Sequence, residues 1–214
     1  MNLAFLVDAA LMFAAIVGAA LVHDLVQARV IVALGGPHWP RTLRSRIDPF
    51  GTVVIPGVVA ALGGPPFGYA APVPLEAGRL RGGYRSLIPI ALAGFATYVA
   101  LAFAVGLIWR ALGGGGWAET LLDGVFRDPL RETLFYFAFV PLVLAVLNVI
   151  PLPPLDGAKL LTAFLSPSAR ATYDRVGRYA PIILLALVLW FRRAVIDVAY
   201  DPVSRLLELF LGPP

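Results

Sequence analysis

The 214-residue chain contains no cysteine. That excludes disulfides and every metal site built on thiolates. Charge is scarce too: Asp, Glu, Lys and Arg supply 14% of residues, where soluble domains carry about 25%. Lysine is almost missing, since Lys159 is the one Lys among 17 basic residues and the rest are Arg. Histidine is limited to His23 and His38. The net charge of +4 raises nucleic acid as a partner, but the arginines lie in loops beside apolar runs and no basic helix or aromatic module accompanies them. Membrane orientation and anionic headgroups account for them instead, and nucleic-acid binding is excluded. The absence of internal repeats argues against an inverted-repeat transporter.

What is abundant is apolar surface. Apolar residues reach 59%, and a mean hydropathy of +0.83 makes lipid the natural solvent of this chain. Its length suffices for one domain, or for roughly four to six membrane segments. The first segment, 1–34, carries an apolar run from Leu3 to Val22 interrupted only by Asp8. It has neither the basic start nor the small-residue cleavage site of a signal peptide, so a retained, spanning helix is expected, stopped by Gly35-Gly36-Pro37. Segment 50–62 is apolar but short and contains Pro56, which suits a re-entrant element. Segment 67–75 is expected to be extended, because Pro72 and Pro74 disfavour helix for themselves and their predecessors.

Segments 87–112 and 134–150 read as spans, and 179–199 is the last apolar segment. Residues 157–165 are expected to form a short helix, and 203–211 an amphipathic tail at the membrane interface. The loops at 35–49, 65–86 and 151–178 are basic; placing them in the cytoplasm puts the N-terminus outside.

Chemistry concentrates at Asn148-Val-Ile-Pro-Leu-Pro-Pro-Leu-Asp-Gly157. Here Pro151, Pro153 and Pro154 break a membrane helix just before a carboxylate, Asp156. An ionisable group at membrane depth costs about 2.5–3.5 kcal/mol and therefore marks a functional position. The segment resembles the N-x-x-P-x-P-x-L-D-G signature of the site-2 protease family of intramembrane zinc metalloproteases. The resemblance implies that Asp156 is a zinc ligand. His23-Asp24-Leu25-Val26-Gln27 stands where that family carries H-E-x-x-H, whose two histidines bind zinc and whose glutamate is the general base.

Here His23 remains, Asp24 is one methylene shorter than the base it replaces, and Gln27 offers a neutral amide at the lost ligand position. A misplaced base forfeits much of its roughly 10²–10⁴-fold contribution, and zinc prefers imidazole, thiolate or carboxylate to amide. His38 matches no ligand position of the family. Where the family carries G-P-x-x-N, this chain reads Gly94-Phe95-Ala96-Thr97-Tyr98, and both aromatics are expected to fill the cavity. Further similarity to compact bacterial relatives runs through Asp48–Thr52 and 63–74. The resemblance implies a cleft lined by Asn148, Pro151, Pro153 and the extended Pro72, Val73 and Pro74.

Other uses of these residues stay open. Asp156 is also a good N-cap candidate for the helix after it. Asn148 can satisfy backbone freed by Pro151, and Asp8 can reach the interface. The reading is an all-α polytopic membrane protein with a site-2 protease-like core, a short re-entrant segment and one extended membrane-embedded element. The function it implies is a catalytically inactive homologue serving as a scaffold, assembly or binding subunit. Its partners would be the lipid bilayer and other membrane proteins or a transmembrane peptide, in the bacterial cytoplasmic membrane. The alternative is an active zinc protease with a His-Asp-x-x-Gln site, and zinc is the cofactor only in that case. A transporter would need a polar path, and segment 87–112 supplies little beyond Thr97 and Tyr98.

Overall fold

A computed structural model describes residues 3–37, 47–62, 66–70, 75–114, 128–190 and 192–213. Within them the regular structure is helical. Three helices are long and apolar enough to cross a membrane: α1 (Leu3–Ala33), α3 (Leu87–Ala111) and α4 (Pro129–Leu147). Between α1 and α3 lie a π-helical turn (Pro49–Val54) continuing into α2 (Ile55–Ala61). After α4 come α5 (Asp156–Phe164), α6 (Pro167–Gly177), α7 (Ala180–Trp190) and α8 (Arg192–Leu211). The protein is an all-α integral membrane protein.

The helix ends follow from the sequence. α1 stops where Gly35 takes a φ of +87°, letting the Gly36 amide donate back to Ile31 O at 2.9 Å. α4 starts at Pro129 behind Asp128, whose carboxylate accepts from the Arg131 amide at 3.0 Å. α3 packs between α1 and α4, and α4 is the most enclosed, with Val140, Leu142 and Leu144 fully buried. Small residues on α1, Ala15 and Ala19, let it approach Tyr98 and Leu144 closely.

The short segment 50–62 is helical, and its N-terminal turn is tied to the next stretch: Thr52 Oγ1 donates to Tyr69 O at 2.8 Å and the Tyr69 amide to Gly51 O at 3.0 Å. Residues 66–70 are non-helical, with Phe67 fully buried. Pro72, Val73 and Pro74, with His38, lie outside the described residues.

The tail at 203–211 departs from expectation. It is the end of α8, and Val203, Leu207, Phe210 and Leu211 are buried in the main core with Trp109 and Leu142. Their i, i+4, i+7, i+8 spacing makes one apolar stripe, which α3 and α4 receive together: on α3, Gly106 lies so near Phe210 that an added Cβ would stand 2.9 Å from its Cβ. Arg110 secures the contact, donating to Phe210 O at 2.9 Å and Leu209 O at 2.7 Å, which satisfies carbonyls at the helix end.

Candidate functional site

The turn after α4 delivers Asp156 to the other helices. Asn148 directs it from both ends of its side chain, Nδ2 donating to Leu144 O at 2.8 Å and Oδ1 accepting from the Asp156 amide at 3.3 Å. Its carbonyl accepts from the Gly157 amide at 2.7 Å. Any side chain at Gly157 would overlap the carbonyls of Val149 and Ile150, so glycine is required there. Asn148 thus serves the turn that follows the broken helix. The residue capping α5 is Leu155, which makes no side-chain cap; Asp156 stands in the first turn and spends its carboxylate elsewhere.

That carboxylate faces α1. His23 Nε2 and Asp156 Oδ2 are 2.7 Å apart. One turn along α1, Gln27 Nε2 donates to Asp156 Oδ1 at 2.7 Å and to Ile90 O at 3.0 Å. Lys159 Nζ donates to Asp156 Oδ1 at 2.6 Å and to Gln27 Oε1 at 2.8 Å. Tyr98 stacks on the His23 imidazole, with centroids 4.6 Å apart and planes 14° from parallel. Gly94 floors the cluster: a methyl there would overlap Asp156 Oδ2, Gln27 Nε2 and His23 Nε2.

A cavity of about 60 Å³ adjoins this group, lined by His23, Asp24, Gln27, Asn148 and Lys159 among others. It has room for a few water molecules. Asp156, on α5 outside the three spans, is pushed up by burial, but Lys159 and His23 outweigh that and hold its carboxyl at about 2.

The structure therefore brings together His23, Asp24, Gln27, Asn148 and Asp156. Pro151 and Pro153 are not among the residues lining the cavity, whereas Pro154 is. The Pro151 carbonyl instead accepts from Tyr173 Oη at 2.8 Å. Of the two aromatics expected to fill the site, Tyr98 does so; Phe95 is 40% exposed and faces away. Sequence reasoning missed Lys159. The signal was its i+3 spacing from Asp156, which puts an ammonium over the carboxylate on one helix face.

These donors do not fit the zinc that the resemblance implies. Zinc prefers imidazole, thiolate or carboxylate, and at the matching ligand positions His23 and Asp156 are the groups of that kind, with an amide at the third. The Gln27 oxygen, its one metal-binding atom, is taken by an ammonium. Among the described residues, no three His, Cys, Asp or Glu converge as a metal-binding group.

The profile of peptidase family M50 matches residues 116–191, which include the Asn148–Gly157 turn. The Bacillus subtilis (strain 168) protein named "Putative zinc metalloprotease YwhC" is 26% identical over 205 residues, covering 89% of this chain and 88% of that protein. No solved structure matches the chain. The signature around Asp156, the helical membrane fold and these two likenesses agree: the chain is similar to peptidase family M50, the site-2 protease family, over the segment that carries Asp156.

Proposed function

We propose that this chain is a site-2 protease-like membrane protein that keeps the scaffold without peptidase activity and serves as a binding or assembly subunit for other membrane proteins. One observation carries the reading. The carboxylate at the third-ligand position is engaged by His23, Gln27 and Lys159, so the chain's own groups occupy the coordination positions. The shortened base Asp24, the amide Gln27 and the Tyr98 ring over His23 point the same way. Family likeness alone does not carry activity with it. A transmembrane peptide along the former cleft, beside the turn at 148–157, is the partner this scaffold suits. The arginine-rich loops support a place in the bacterial cytoplasmic membrane with the N-terminus outside.

A second reading is an active zinc protease, favoured by the water-sized cavity beside His23 and Asp24. Detergent-purified protein incubated with transmembrane peptides separates the two. The scaffold reading expects no cleavage and a membrane protein that co-purifies; cleavage abolished by Asp156→Ala would overturn it.

A further inference from the structure

A buried carboxylate needs a cation or a full set of donors, because an uncompensated charge away from water is costly. In this scaffold the chain supplies both. Asp156 is 4% exposed, and its two oxygens together contact His23, Gln27 and Lys159. Lys159 is the single lysine of the protein, and it stands on the helix that Asp156 begins. Its ammonium reaches from the cavity edge, with a side chain 25% exposed, to Asp156 and Gln27.

The Gln27 amide can face only one way in this arrangement. Its nitrogen meets two acceptors, Asp156 Oδ1 and Ile90 O, and its oxygen meets an ammonium that can only donate. Reversing the amide would set donor against donor and acceptor against acceptor. Lys159 thereby orients Gln27 as well as neutralising Asp156.

We propose that Lys159 is a tethered cation standing in for a metal: it balances Asp156, holds Gln27 and excludes divalent cations from the cluster. This inference rests on the reading of the protein as a scaffold that works without zinc. The physical ground is competition at one atom. A divalent ion bonded to Asp156 Oδ1 at about 2.1 Å would face the ammonium, a like charge, at a distance that low local dielectric makes strongly repulsive. The cation belongs to the chain, so the site cannot lose it to chelators or to dilution.

The test uses full-length protein in detergent, as wild type, Lys159→Met and Lys159→Met/Asp156→Asn. Each is incubated with zinc, desalted, analysed for metal and melted with and without zinc. Wild type should retain no zinc. Lys159→Met should melt lower, retain near-stoichiometric zinc, and regain its melting temperature when zinc is present. The double variant has neither the carboxylate charge nor its cation; it should melt close to wild type and ignore zinc.

Zinc retention by wild type equal to that of Lys159→Met would overturn the proposal, as would a Lys159→Met protein that melts like wild type and takes up no metal. Where Lys159→Met cannot be purified without zinc, the double variant decides: recovery of stability supports charge pairing, and equal instability refutes it. Zinc retention with peptide cleavage by wild type would sink the scaffold reading too. An indifferent Lys159→Met beside zinc-free wild type sinks only the role given to Lys159.

Discussion

Gly94 on α3 and Asp156 on α5 are in contact, with no room for a side chain between the helix backbone and the carboxylate. The cluster that joins α1 to α5 is built on that missing Cβ. Gly94→Ala should therefore cost about 3 kcal/mol or more, because the methyl displaces Asp156, Gln27 and His23 together. Gly57→Ala is the control: an added Cβ there meets nothing within 4 Å, so helix propensity should make the change neutral or stabilising by up to about 1 kcal/mol. Equal melting temperatures for the two variants would contradict the packing described.

Acid should weaken the fold through Asp156. Its carboxyl titrates at about 2 in the folded protein against an ordinary 3.8, a depressed value. The stabilisation is therefore present above the ordinary value and is lost as pH falls through the folded one. It amounts to about 2 kcal/mol. Melting wild type and Asp156→Asn side by side, the gap between them should narrow by that amount from about pH 5 to pH 2. A gap that stays constant would show that the carboxylate is not held by Lys159 and His23.

Asn148→Ala removes the donor to Leu144 O and the acceptor for the Asp156 amide. The Asp156 amide loses its partner, at a cost of about 1–3 kcal/mol if water does not replace it, while Leu144 O keeps the backbone amide of residue 148 at 2.9 Å. The melting temperature should fall, and amide exchange should rise across 148–157. Exchange unchanged in that turn would mean Asn148 does not hold it.

The last helix should come loose when its anchors on α3 are cut. Arg110→Ala deletes two hydrogen bonds to the carbonyls of Leu209 and Phe210, worth about 1–3 kcal/mol together. Gly106→Ala should have the same effect by crowding Phe210. In both, exchange at 203–211 should quicken while α1 and α4 remain protected. Uniform loss of protection would place the tail's packing elsewhere.

Much of the fold was legible because its signals are local. Apolar length and Pro or Gly breaks define membrane helices without reference to neighbours, and they identified an all-α membrane protein. The i, i+4 spacing of His23 and Gln27 likewise announced a shared helix face. What packs against that face is not local. Phe95 and Tyr98 looked equivalent as bulky replacements, yet only Tyr98 shares the Gly94 face; one residue turns about 100° around a helix and sends Phe95 outward. The stripe Val203, Leu207 and Leu211 showed an apolar side but not whether lipid or the pair α3 and α4 would cover it. Lys159 is no zinc donor, and its role is set by Asp156 and by Gln27 on a distant helix, a contact that spacing along the chain does not carry.

The central claim is that this protein, similar to peptidase family M50, holds the matching ligand positions with its own side chains. Elemental analysis of zinc per chain, on detergent-purified wild type beside Asp156→Ala, tests it most directly. The account predicts no zinc in either protein. Close to one zinc per chain in wild type, lost in Asp156→Ala, would contradict it.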